Sequence, residues 1–198
     1  LWFPSLSDFL INVALLAALA AAARYYFRIR PSKPTIALAV YVFITALTFA
    51  YAVFINHLMK GLVVNSNIPF DINIITRLNL FSLAGICGGA LLYFSYFMVA
   101  DAAVLKVQRS GADRQYVLLS FALLTLLHVL LTHYFSIRDL AFVLWPVGIS
   151  GLLIYLRLYA RQPQLRLSHS VAAVVLFALV AAQNFLKYTQ ARERYQHS

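Results

Sequence analysis

Acidic side chains are scarce in this chain. Six Asp and Glu stand against sixteen Lys and Arg in 198 residues, and charged residues of both signs make up only 11% of the total. Soluble domains carry about 25% charged residues, so a water-soluble fold is excluded. Cysteine occurs once, as Cys87 inside an apolar run; an internal disulfide and a paired-cysteine metal site are both ruled out, and the residue reads as a small packing side chain. No HExxH pattern accompanies the five histidines, and no internal repeat supports an inverted-repeat carrier. No carboxylate falls near the centre of an apolar stretch, so a proton relay lacks its usual residue.

What the chain has in abundance is apolar sequence, 63% of its residues. Six stretches approach the ~20 helical residues needed to cross a hydrocarbon core of about 30 Å: Ser7 to Phe27, Thr35 to Leu58 with an apolar pattern continuing through Val64, Leu78 to Ala100, Tyr116 to Phe135, Leu140 to Leu156, and Ser168 to Leu186. Only helices and closed barrels satisfy their backbone groups in lipid, and the lengths select helices. The expected fold is all-α, a polytopic transmembrane bundle of about six helices occupying residues 1–198 as one module. Ser5-Leu6-Ser7-Asp8 has the form of a capping box at the first helix start. Arg30-Pro31-Ser32-Lys33-Pro34 and Arg161-Gln162-Pro163-Gln164 are proline-marked connections. The chain opens on Leu1-Trp2-Phe3-Pro4 without an initiator methionine and closes on the polar run Ala191 to Ser198, so it is expected to be a segment of a longer protein.

Lys and Arg concentrate in cytoplasmic loops. Around the first, third and fifth connections lie Arg24, Arg28, Arg30, Lys33, Lys106, Arg109, Arg114, Arg157, Arg161 and Arg166; the opposite side holds Lys60, Arg77, Arg138, Lys187, Arg192 and Arg194. The balance of ten against six places both termini on the outer face. In a soluble domain this surplus of cations would suggest nucleic acid; beside membrane spans it is the ordinary flanking charge, and no nucleic-acid partner is expected.

Several residues carry possible roles. Asn65, Asn67 and Asp71 lie in the connection Val64-Asn65-Ser66-Asn67-Ile68-Pro69-Phe70-Asp71-Ile72-Asn73, whose turn formers and apolar side chains suit an ordered loop resting in the outer interface. It is either a sensing or docking surface or a capped interfacial turn. Gly85 and Gly89 form a GxxxG spacing that lets a second helix approach closely, with the run Ala20 to Ala23 as candidate mate, within the chain or across a homodimer. Pro146, in Trp145-Pro146-Val147-Gly148, removes a backbone donor and marks a kink that is either a hinge or a static bend. His57 and His133 fall near the outer surface, where a metal site is conceivable, but without ligand spacing no metal or cofactor is assigned. His128 lies a turn deeper as a candidate interhelical hydrogen-bonding group. Asp101 closes the third span, within reach of Lys106 or Arg109. Asn12, Gln183 and Asn184 are intramembrane amides suited to bonding across helices.

The order of these features resembles a known family. Phe3-Pro4-Ser5-Leu6-Ser7-Asp8-Phe9-Leu10, then two spans leading to Leu62-Val63-Val64-Asn65-Ser66-Asn67-Ile68-Pro69-Phe70-Asp71-Ile72-Asn73, then Leu80-Phe81-Ser82-Leu83-Ala84-Gly85, is similar to the multi-pass membrane region of large bacterial sensor histidine kinases of the nitrogen-regulation type. Pro69 departs from that pattern. The resemblance implies a signal-transducing module of the bacterial inner membrane, non-enzymatic by itself, whose partners are the bilayer and flanking domains of the same chain. The phosphoacceptor region and glycine-rich ATP boxes of such kinases are absent from this segment, and none of its histidines takes the phosphoacceptor role. A transporter or channel component and a small membrane enzyme or redox subunit are the alternative expectations.

Overall fold

The computed structural model describes residues 6–29, 33–65, 80–134 and 140–159, with side chains at most of these positions. All the elements formed are helical: α1 Leu6–Ile29, α2 Pro34–Asn65, α3 Leu80–Ser110, α4 Arg114–Tyr134 and α5 Leu140–Ile154, which passes directly into a π-helical turn, Tyr155–Tyr159. There is no strand among the described residues. Four helices are long and apolar enough to cross a membrane: Leu6–Phe27, Pro34–Leu62, Leu80–Ser110 and Arg114–Thr132. The fifth apolar helix, Leu144–Leu158, is shorter than these, and the sixth expected span lies outside the described residues. The 32 residues of α2 and 31 of α3 measure about 48 and 46 Å at 1.5 Å per residue. Both exceed the hydrocarbon thickness, so they tilt or extend into the headgroup region.

The helix ends follow from local chemistry. Pro34 takes the first position of α2, where its missing N–H is no loss, and the Lys33 carbonyl accepts from the Ala37 amide at 2.9 Å. α3 stops at Ser110 because Gly111 adopts φ 68°, the left-handed conformation that ends a helix and that glycine enters without penalty. Two residues later Asp113 caps α4, its Oδ1 accepting from the Gln115 amide at 3.0 Å.

Contacts divide the chain into two compact units. In the first, residues 6–19, 55–65 and 80–95 are described. Phe9 and Val13 are buried there, as are Ile55, Leu58, Met59 and Leu92. Gly88 is the tight point: a Cβ placed on it would lie 2.7 Å from Cε1 of Phe9 and 3.1 Å from Cδ2 of Leu10. Gly85 and Gly89, of the expected GxxxG spacing, are both buried. What seats against Gly88 is the start of α1. Asn12 donates to the Asp8 carbonyl of its own helix at 2.7 Å. That is a local bond where the sequence suggested one across helices.

In the second unit, described over residues 20–29, 33–54, 96–134 and 140–159, α3 is buried on every side from Asp101 through Val107. A helix buried all round sits among other helices and not at the lipid surface. By contrast Leu119, Leu123, Leu126 and Leu130 of α4 are more than half exposed, as side chains facing acyl chains are. Two buried hydroxyls in these helices bond within their own helix, Thr48 to the Thr45 carbonyl and Thr132 to those of His128 and Val129.

Candidate functional site

The polar centre of the second unit is an ion triad on Asp101. Asp101 is the only acid of α3 and is fully buried, nine residues before the helix ends. Arg157, only 3% exposed, donates Nε and Nη2 to one carboxylate oxygen, Oδ1, at 2.9 and 2.7 Å. Arg24 of α1 donates Nη2 to the other oxygen, Oδ2, at 2.8 Å, with its side chain 36% exposed. Three short charge-assisted bonds thus converge on one carboxylate. Burying such groups costs several kcal/mol per ion unless they are paired and hydrogen-bonded, which the geometry achieves for Asp101 and Arg157. Arginine suits the position, because its planar fork reaches one oxygen through two N–H groups and it cannot shed its charge.

Arg157 occupies the middle of the π turn Tyr155–Tyr159. Its backbone carbonyl accepts from Nε2 of Gln108, on α3, at 2.7 Å. α3 therefore holds this turn twice, through Asp101 on the side chain and Gln108 on the backbone. π turns inside α-helices are rare and concentrate at functional sites.

α3 makes a second attachment to the same helix one and a half turns earlier. The Tyr96 hydroxyl donates to the Pro146 carbonyl at 3.1 Å and lies 2.9 Å from Oγ of Ser150. With the tyrosine proton committed to the carbonyl, Ser150 is the donor in that contact. The Tyr96 ring meets Trp145 edge-on, with centroids 4.8 Å apart. Pro146 is thus a buried position inside α5 whose carbonyl is tethered to α3.

His128 is buried and its imidazole stacks on Phe49, with centroids 4.9 Å apart and planes 21° from parallel. Both line an apolar groove of about 90 Å³ between α2 and α4, with Ala46, Ala50, Val53, Leu124, Leu127 and Leu131. His57 is exposed, while the side chain of His133 lies outside the described residues. Among the described residues no three His, Cys, Asp or Glu side chains come together as a metal site would require. Asn65 ends α2, its side chain not described, and Asn67 and Asp71 lie outside the described residues.

Sequence reasoning missed the triad. From sequence Asp101 reads as a boundary charge closing the third span, able to pair with Lys106 or Arg109; α3 instead runs on to Ser110, and the carboxylate pairs with Arg24 and Arg157. Arg24 and Arg157, which the charge pattern assigns to connections, both lie within helical segments. The available signal was a lone acid and two lone cations, each flanked by apolar residues, since charges in such runs are retained where they find one another.

Four helices long and apolar enough to cross a membrane, with exposed leucines along α4, mark an integral membrane protein of the helical class. No protein-family model, curated protein or solved structure matches the chain.

Proposed function

We propose that this chain is a signal-transducing membrane module, non-catalytic in itself, in which the Arg24–Asp101–Arg157 triad is the element that changes state. The observation that carries the reading is the buried triad itself, which ties α1, α3 and the π turn after α5 through one carboxylate. Signalling across a bundle requires an element with two discrete arrangements. A carboxylate shared between two guanidiniums, one closed off and one half open to the surroundings, is suited to that role. Asp101 is already engaged by both arginines and is poorly placed as a general base. The groove beside His128 is lined mainly by apolar side chains, which favours conformational coupling over chemistry.

On this reading the module belongs to a bacterial inner-membrane receptor of the sensor histidine kinase type, with six spans and both termini outside. The charge distribution and the residue pattern from Leu62 to Asn73 support it. The test is signalling output from the receptor carrying Asp101→Asn, at matched membrane abundance. A shifted basal output supports the proposal, and unchanged output removes it. A carrier or channel component is the second reading, favoured by one observation: Asp101 and Arg157 supply the buried charge that the sequence alone had not revealed. Solute flux through proteoliposomes that Asp101→Asn abolishes would establish it in place of the receptor.

A further inference from the structure

The triad carries an excess charge. Asp101 and Arg157 neutralise one another and are closed off from the surroundings, at 0% and 3% side-chain exposure. Arg24 adds a second positive charge to the same carboxylate, with 36% of its side chain exposed. A guanidinium has five N–H donors, and among the described residues Arg24 bonds only to Asp101, through Nη2. An excess cation beside a low-dielectric interior is stabilised by a counter-anion.

Its surroundings identify where that anion comes from. Arg24 lies five residues before the end of α1, about 7.5 Å along the axis, a distance its long side chain spans to headgroup level. The next two residues, Tyr25 and Tyr26, are 70% and 50% exposed, and exposed tyrosines mark the membrane–water interface. Lys33, also exposed, immediately precedes α2, while Ile29 and Ile36 are each more than half exposed. Exposed tyrosine and isoleucine side chains near the cation in sequence are suited to lipid.

We propose that the exposed N–H groups of Arg24 bind the phosphate of an anionic phospholipid, the lipid completing the triad as its fourth charge. Planar, multidentate recognition of phosphate is what guanidinium does well. Lys33 contributes by attraction at the headgroup. The site stands whether or not the module signals, because it follows from the charges of the triad and the exposure of Arg24.

The test uses the whole chain, purified in a neutral maltoside detergent and titrated with phosphatidylglycerol or with phosphatidylcholine of the same acyl chains, reading bound lipid by native mass spectrometry and thermal stability in parallel. Phosphatidylglycerol is expected to bind preferentially and raise the melting temperature. Arg24→Gln, which keeps a donor for Asp101, should weaken that binding roughly five- to tenfold, a cationic contact at the membrane surface being worth about 1 kcal/mol or somewhat more. Lys33→Gln should have a smaller effect. An unchanged preference in Arg24→Gln overturns the proposal, and so does inorganic phosphate that matches the stabilisation and displaces the lipid, since the site would then serve a soluble anion. Should Arg24→Gln not fold, a headgroup-photoreactive anionic lipid on the wild-type chain decides: labelling of residues 21–33 supports the site, and labelling confined to other segments refutes it.

Discussion

Replacing Asp101 with Asn leaves two guanidiniums facing an amide that has one acceptor oxygen. Three bonds of 2.7–2.9 Å converge on the wild-type carboxylate. The amide can accept from one arginine while its NH2 points at the other. Arg157, 3% exposed, cannot turn to solvent, and removing the partner of a buried charge costs about 3–5 kcal/mol. Arg24 is more than a third exposed, so its share is screened and stays below about 1 kcal/mol. For a chain of this size 1 kcal/mol moves the melting temperature by about 2–4 °C, so Asp101→Asn should melt ~6–20 °C lower in detergent, read by fluorescence-detected size exclusion after heating. The sharper measurement is the double variant Asp101→Leu/Arg157→Met. It removes the buried cation together with its partner and leaves only the half-exposed Arg24, which can reach the interface. Exchanging a buried pair for apolar residues of similar volume is often neutral or stabilising, so the double variant should recover most of the lost stability. If Asp101→Asn melts with the wild type, or the double variant melts below it, the triad is not held together by the balance of desolvation and pairing argued above.

Three further outcomes are expected. Gly88→Ala brings a Cβ within 2.7 Å of the buried Phe9 ring and should cost about 1–3 kcal/mol as overpacking, whereas Gly151→Ala meets Phe121 at an ordinary 3.7 Å and should gain ~0.5–1 kcal/mol from helix propensity; thermal denaturation of both compares them, and equal effects would discredit the close approach at Gly88. Tyr96→Phe removes the bonds to Pro146 and Ser150, but Ser150 can then return to the Pro146 carbonyl four residues before it, so the loss should be only about 1 kcal/mol, and a much larger drop in melting temperature would mean that Tyr96 does more than tether α5. Single cysteines at Arg109 and Arg114, introduced after Cys87→Ser, should resist impermeant thiol reagents in intact cells if the first, third and fifth connections face the cytoplasm; ready labelling from outside would invert the topology.

The parts of this structure that sequence foretold are those governed by local pattern. Apolar run length announced α1 to α4 because spanning a bilayer is a one-dimensional requirement, and Pro34 announced where α2 begins. The extension of α3 from Ala100 to Ser110 was less visible, because Asp101, Lys106 and Arg109 lower the hydropathy of a segment that is nevertheless helical and, through Val107, buried. Its end is set by Gly111 and followed by the Asp113 cap of α4, local features that the lengths of the apolar runs do not reveal. The triad was invisible for a different reason: its members are 77 and 56 residues apart, and periodicity assigns a residue to a face without naming the residue opposite. The glycine patch shows the same limit. The GxxxG spacing points to a small-residue face, but the close approach at Gly88 depends on where Phe9 falls on another helix.

The short turn between α3 and α4 bears on how the protein enters the bilayer. Three residues, Gly111 to Asp113, separate the two helices, a reach of about 10 Å, so where both cross the bilayer α4 returns antiparallel to α3 and has no slack to insert in either sense on its own. α3 and α4 must therefore be oriented by the membrane-insertion machinery as one unit. Any change of flanking charge that turned α4 around would have to carry α3, and the buried Asp101 with it, across to the other leaflet. The orientation of α4 is thus inherited from a helix it reaches through one glycine and one cap.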